Sequence, residues 1–480
     1  MGAGQALVDC AKGIDMEPVL IQQFFLGCLA HASYIVASKG IAAVIDPQRD
    51  VDLYLDFARE NNLRIEHIIE THLHADFVSG HHELAQRSGA HIYLGEDAHA
   101  TFPHIAIKDG DTLQFGNAHF DFLHTPGHTI EGVCAVLTDL AGPSQPRAVF
   151  TGDTLFVGDV GRPDLSADHT PQQLAALLYR SLHEKLLKLP DDTEIFPAHG
   201  AGSLCGRQMS NERSSTIGQQ RRSNYALLAR NEDEFIHLLT DSLPPRPEYF
   251  GRDVELNRHG ASSIDELPAP KPLPAAEVKR RHSEGTILLD TRSSADFAAA
   301  YIPGSFHIAL SGQYASWAAR ILGLDRHIIL IGEDTDQLRE SQLRLARVGI
   351  EHVDAYLEGG ITGWHKAGYE FDYVPQISVQ ELADLEEKEP DSLTILDVRE
   401  PGEVETGAFA NSIRIPLGQL TKHAAELDPS KLLVVHCKGG YRSAIASSIL
   451  RRAGIHDIAN LTGGYDAWKA AQLQKAEAIL

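Results

Sequence analysis

The chain has 480 residues, 43% of them hydrophobic and 22% charged, which implies two to four domains of ordinary globular composition. A formal net charge of −24 repels phosphate, so neither nucleic acid nor an anionic membrane is expected as a partner. No stretch approaches the roughly 20 apolar residues of a membrane helix.

The N-terminal MGAGQALVDCAKGIDMEP has neither the basic nor the apolar segment of an export signal. The five cysteines, Cys10, Cys28, Cys134, Cys205 and Cys437, are odd in number and widely spaced. Together these features predict a reducing cytoplasmic setting with free thiols and no disulfide framework. Over the first 200 residues, apolar strand-like runs alternate with amphipathic ones. GIAAVIDP reads as a buried strand, VDLYLDFAREN as a helix, RIEHIIETH and AVFTGDTLF as further strands. PQQLAALLYRSLHEKLLKLP reads as one helix bounded by prolines. This alternation predicts a layered α/β domain over 18–250.

Four segments put polar, metal-ligating residue types at the ends of apolar strands, where α/β folds place their sites. THLHADF carries His72, His74 and Asp76; TPGHT carries His128; FTGDTLF carries Asp153; IFPAHG carries His199. Histidine alone says little here, since 15 of the 25 fall in the first 200 residues.

The order H-x-H-x-D, G-H-T, G-D, A-H-G over about residues 20–250 resembles the metallo-β-lactamase superfamily, which implies an αββα sandwich. In dinuclear members of that family a histidine follows the aspartate, and here the position is Phe77. An apolar ring in place of a ligand opposes burial of a second ion, whose uncompensated charge costs several kcal/mol. The remaining pattern resembles the persulfide dioxygenase branch, which implies mononuclear non-haem Fe(II) held by His72, His128 and Asp153. Such a two-histidine, one-carboxylate set leaves three coordination positions open. His74, Asp76 and His199 are then groups that orient the ligands by hydrogen bonds. The competing reading is a zinc thioester hydrolase of glyoxalase II type, with His72, His74 and His128 on the metal. Arg162, in VGRPDL, is a candidate for binding the carrier thiol of a substrate, against a structural ion pair. Cys205, in HGAGSLCG, resembles a cysteine of related fusions that could present a persulfide, against a merely buried thiol.

Proline-rich LPPRPEY and ELPAPKPLP mark a semi-rigid linker, placed at 251–274. Beyond it the chain repeats with a period of about 105 residues: IILIGEDTDQLRESQLRLARVGI lies without gaps over LVVHCKGGYRSAIASSILRRAGI. Two tandem α/β domains, 275–374 and 375–480, are predicted. In the second copy, VVHCKGGYRSA runs from a strand through Cys437, Lys438, Gly439, Gly440 and Arg442 into a helix. Glycines let successive backbone N–H groups turn inward, and these with Arg442 and the helix N-terminus stabilise an anion at the cysteine.

Phosphatase loops of this kind are usually one residue longer. With LDVRE and GGYDAW, the segment resembles the rhodanese family across about 375–475, which implies a persulfide on Cys437 and anionic partners such as sulfite and thiosulfate. Arg399 is expected in a structural ion pair. In the first copy Gly332 stands for Cys437 and Gln337 for Arg442, so that copy is expected to be inactive. The whole resembles a persulfide dioxygenase–rhodanese fusion. It implies O2-dependent oxidation of a low-molecular-weight thiol persulfide to sulfite, with sulfur transfer giving thiosulfate. A homo-oligomer is expected from the linker and the inactive copy.

Overall fold

The structure is a computed structural model that describes residues 17–166, 168–241 and 243–477. Cys10 and residues 1–16 of the segment read above for export lie outside these. Among the described residues no helix is long and apolar enough to cross a membrane. The chain forms two compact units, divided at Arg246, with Asp253–Ser262 returning to the first and Pro247–Arg252 belonging to the second.

The first unit is built on two six-stranded sheets. One runs in the order Leu20–Leu26, His31–Ser38, Ile41–Ile45, Arg64–Ile69, His91–Gly95, Ile105–Ile107. The other runs Ser215–Thr216, Glu194–Pro197, Pro146–Gly152, Val133–Asp139, Ala118–His124, Thr112–Phe115. Strand alternation explains the layering. In His31–Ser38, Ala32, Tyr34 and Val36 face the other sheet's Phe120, Phe122 and Phe150, while Ile35 and Ala37 face outward. Tyr54 and Leu84, from helices Asp52–Glu60 and His81–Ser88, cover that outward face. Leu178 and Phe235, from Pro171–Arg180 and Glu232–Thr240, cover the outer face of the second sheet. The result is the expected αββα sandwich.

The helix predicted over 171–190 starts as the sequence indicates. Pro171 is its first residue, and the Thr170 hydroxyl and Gln173 amide cap it reciprocally. Its α geometry ends at Arg180 and widens to a π turn over Ser181–Lys185. There Ser181 Oγ donates to the Pro126 carbonyl (2.7 Å) and Lys185 Nζ to the His124 carbonyl (2.7 Å), so tertiary bonds displace the regular ladder.

The second unit holds two five-stranded parallel sheets of the same strand order. One runs Lys271–Leu273, Val353–Leu357, Ile328–Ile331, Ile287–Asp290, Phe306–His307. The other runs Gln376–Ile377, Ile458–Leu461, Leu432–His436, Leu393–Asp397, Ile413–Arg414. The repeat in sequence is thus a repeat in topology. In each copy the arginine two residues beyond the first central strand's aspartate is buried on it: Arg292 on Asp290 and Arg399 on Asp397, both at 2.6 Å.

The stretch 251–274 is not a plain linker. It contains the greater part of helix Phe250–His259 and the edge strand Lys271–Leu273. The prolines masked a helix that carries buried Asn257. Its amide donates to the carbonyls of His74 and Phe77 (2.8 Å each), and its Oδ1 accepts from Ser79 N–H. These bonds pin the loop that carries the histidine pair.

Candidate metal centre and cysteine site

In the first unit the sheet ends bring His72, His128 and Asp153 together from three loops. Their nearest ligand atoms all lie within 4.8 Å of one another, and all three residues are buried. Asp153 Oδ2 stands 3.3 Å from His128 Nε2 and 3.8 Å from His72 Nε2. His128 Nε2 and Asp153 Oδ2 have no hydrogen-bond partner among the described residues. Gly152, at φ +51°, allows this approach, because a Cβ there would lie 2.4 Å from Thr71 Oγ1.

Outer hydrogen bonds fix both imidazole tautomers. His128 Nδ1 lies 3.0 Å from the Arg162 carbonyl, which can only accept, so Nδ1 carries the proton. Thr71 Oγ1 donates to Asp46 Oδ2 (2.9 Å), leaving its oxygen to accept from His72 Nδ1 (3.0 Å). Both Nε2 atoms therefore present lone pairs toward Asp153. Burial pushes His72 and His128 below the ordinary histidine range, keeping them neutral. Burial alone would protonate Asp153, but the charge of His199 and its hydrogen bond hold the carboxyl well below its usual value. Two neutral imidazoles and one carboxylate with converging lone pairs fit a divalent metal ion. Thr71→Val is expected to lower metal affinity about 10- to 100-fold with the fold intact, measured by competition with a chelator.

Three groups expected around the ligands are placed as follows. His199 lies between two carboxylates, with Nδ1 2.7 Å from Asp153 Oδ1 and Nε2 3.2 Å from Asp76 Oδ2. Burial lowers its pKa, yet the two carboxylates raise it well above the ordinary value, so it serves as a charged donor to Asp153 and a charged neighbour of Asp76. His74 Nε2 faces Asp46 Oδ1 (3.2 Å) and Glu70 Oε2 (3.6 Å). His74, Asp76 and His199 do form a second group with ligand atoms within 4.8 Å. Phe77 closes one side of it: the ring is buried, with its centroid 4.4 Å from that of His74 and 4.1 Å from that of buried His31. It supplies no lone pair.

Cys205 is buried, its Sγ within 4.8 Å of ligand atoms on Asp153 and His199. Burial, then the charges of Asp76 and Asp153, push its thiol well above the ordinary range. Arg162 is a correction to the expectation of substrate binding. Its guanidinium is committed to both Asp164 oxygens (2.6 and 2.8 Å) and the carbonyls of Leu204 and Pro244. With every nitrogen bonded inside a buried ion pair, its contribution is structural, and its carbonyl fixes His128.

In the second unit, Cys437 lies buried at the end of strand Leu432–His436. Gly440 N–H donates to its Sγ at 3.1 Å, and Ser443 Oγ stands 3.6 Å away. Gly439 leaves open space where a side chain would begin, and Lys438 is exposed at the mouth. The N-terminus of helix Gly464–Glu477 braces the loop from behind, with Tyr465 and Asp466 N–H donating to the Cys437 and Lys438 carbonyls. Arg442 makes two bonds to Glu403, at 2.5 and 2.7 Å. Burial would raise the Glu403 carboxyl, but Arg442 holds it below the ordinary range. Sequence reasoning missed Glu403, although it sits three residues into the helix after LDVRE.

The corresponding loop of the first copy is filled by its own acid. Asp334 Oδ1 accepts from Asp336 and Gln337 N–H (2.9 and 2.8 Å), consuming the donors an anion would use. Gln337 bonds to Glu333. No thiol is present there.

Comparison with known proteins agrees with this division. Residues 26–199 match the metallo-beta-lactamase superfamily, and residues 274–367 and 378–471 each match the rhodanese-like domain. Hydroxyacylglutathione hydrolase of Francisella tularensis subsp. novicida is 34% identical over 181 residues, 37% of this chain and 67% of that protein. Mitochondrial persulfide dioxygenase ETHE1 of Homo sapiens is 29% identical over 254 residues, 51% of this chain and 90% of that protein. A crystal structure of a metallo-beta-lactamase from Staphylococcus aureus subsp. aureus COL is 32% identical with a TM-score of 0.64, covering 71% of this chain and 98% of that one.

Proposed function

Because the chain belongs to the metallo-β-lactamase superfamily and carries two rhodanese-like domains after that fold, we propose that it oxidises low-molecular-weight thiol persulfides to sulfite with O2 and couples this to sulfur transfer at Cys437. The observation that carries the reading is the ligand set itself. His72, His128 and Asp153 converge as two neutral imidazoles and a carboxylate. In the second group both histidines are held among carboxylates, His74 by Asp46 and Glu70 and His199 by Asp153 and Asp76, and the Phe77 ring closes one side. His72, His128 and Asp153 would hold ferrous iron, which would supply redox chemistry toward O2.

The residues around it have distinct tasks. Thr71 and the Arg162 carbonyl orient the two imidazoles, and His199 holds Asp153 ionised. In the first reaction the terminal sulfur of RSS⁻ is oxidised by four electrons, which reduce O2. With one water the products are RSH, sulfite and a proton. In the second, the Cys437 thiolate takes the outer sulfur of a further thiol persulfide, whose S–S bond breaks to release the thiol, and then gives that sulfur to sulfite. The S–S bond to the cysteine breaks, a new S–S bond forms thiosulfate, and the Cys437 thiolate leaves. Gly440 N–H stabilises that thiolate and exposed Lys438 favours anionic partners at the loop, while the Arg442 guanidinium is held by Glu403. Sharing one chain raises the effective concentration of sulfite at the second site. The natural compartment on this reading is the cytoplasm.

The similarity to hydroxyacylglutathione hydrolase supports a second reading, zinc-dependent thioester hydrolysis by His72, His74 and His128. Oxygen consumption separates the two. Iron-loaded protein given glutathione persulfide is expected to take up O2 and release sulfite, and zinc-loaded protein to do neither. Zinc-loaded protein that cleaves a glutathione thioester, with no O2 uptake by the iron form, overturns the proposal.

A further inference from the structure

The two rhodanese-like domains lie within one compact unit, and the helix that begins at the cysteine loop is fastened to the other copy along its length. This helix, Tyr441–Arg452, starts on the residue after Gly440. Tyr441 is half-buried, and its hydroxyl donates to the Ala309 carbonyl of the first copy at 2.9 Å. The loop that carries Ala309 is shaped for that ring. Gly312, at φ +73°, meets Tyr441 so closely that a Cβ would stand 3.3 Å from it. Arg344 holds the same loop from inside the first copy by donating to the Leu310 carbonyl at 2.6 Å. At the helix's far end Arg451 pairs with Asp372 (3.3 Å) and donates to the Tyr373 carbonyl, while Arg452 stacks over Phe306.

A second line of contacts reaches the loop from the arginine side. Arg320, on helix Tyr314–Leu322 of the first copy, donates to Glu400 Oε1 at 3.3 Å, and Gly418 of the second copy packs against its guanidinium. Glu400 N–H donates to Glu403 Oε2 (3.0 Å), the same oxygen that accepts from Arg442. A hydrogen-bonded path thus runs from Arg320 through Glu400 and Glu403 to Arg442. One contact line ends on the residue after Gly440, the other on Arg442 one residue further along the same helix.

We propose that the inactive copy is the seat of its neighbour's cysteine loop: the Ala309 carbonyl and the Arg320 guanidinium are positioning groups that hold the loop in its anion-binding shape. The copy that has filled its own loop with Asp334 thereby forms part of the working one. The inference rests on the reading of Cys437 as a reactive thiolate.

The test uses the full chain and site-resolved alkylation of Cys437 by iodoacetamide at neutral pH, read by mass spectrometry of its peptide, with kcat and KM for sulfur transfer from thiosulfate to cyanide. The double variant Arg320→Ala/Tyr441→Phe loses one ion pair and one hydrogen bond. It is expected to alkylate about 10-fold more slowly and to lose kcat by a similar factor. Single Arg320→Ala is expected to account for about 2- to 5-fold of this, and Arg320→Lys, which can still reach Glu400, to recover most of that loss. The singles decide the matter if the double variant does not fold. Wild-type alkylation rate and kcat in folded Arg320→Ala and Tyr441→Phe proteins overturn the inference while leaving the reading of Cys437 intact. Wild-type Cys437 reacting no faster than glutathione overturns both.

Discussion

Replacing Cys437 by serine is expected to change the product. Wild-type protein supplied with a thiol persulfide and O2 should release thiosulfate; Cys437→Ser should release sulfite at an undiminished rate of O2 uptake. The hydroxyl that replaces the thiol cannot carry sulfane sulfur, so the transfer half is lost by roughly 10³-fold or more, the scale on which removing a covalent nucleophile disables an enzyme. The metal-site residues take their support from their own unit: His72, His128 and Asp153 are held by Thr71, the Arg162 carbonyl and His199. Chromatography of sulfite and thiosulfate with an oxygen electrode reads both halves in one experiment. Equal product ratios from the two proteins contradict the coupling.

The second large effect is on the metal side. Asp153→Ala removes the only carboxylate of the converging set and also takes from His199 its shortest hydrogen bond, 2.7 Å. Two neutral imidazoles remain, and they offer no charge to offset a divalent cation in a buried place. Metal binding and O2 uptake are both expected to fall below detection, a loss of more than about 100-fold, since changes to outer partners alone cost 10- to 100-fold. Sulfur transfer from thiosulfate to cyanide at Cys437 is expected to persist in this variant. Metal analysis and the two assays on one preparation check all three expectations.

Much of this arrangement was legible in the sequence because it obeys one rule: a polar residue that ends a buried apolar strand in an α/β domain points at the site. His72, Asp153 and His199 were found in this way. Asp46 satisfies the same rule, since it follows Ile41–Ile45 directly and holds both Thr71 and His74. It was missed because a carboxylate that acts through a neighbour leaves no spacing pattern. The Arg162 carbonyl is less visible still, for a backbone acceptor has no sequence signature. Arg162 itself misled in the opposite direction. An arginine beside a metal loop suggests an anion, but Asp164 two residues later was its partner.

In the second unit the repeat exposed the loss of the thiol at Gly332 and of the arginine at Gln337, because gap-free alignment sets each position against its working counterpart. Glu403 and Ala309 were hidden for a different reason: each acts on the loop across a distance in sequence, 39 residues to Arg442 and 132 to Tyr441. The helix over 250–259 was obscured by its flanks. Prolines on both sides read as a linker, whereas the Asn257 bonds that anchor it lie 180 and 183 residues away, on Phe77 and His74.

Loading the chain anaerobically with excess Fe(II) and counting tightly held metal per polypeptide tests the central claim most directly. One iron per chain is the result that three converging ligands and a phenyl ring in place of a further histidine after Asp76 require. Two metals per chain, or zinc retained in preference to iron within a closed four-ligand shell, would contradict it.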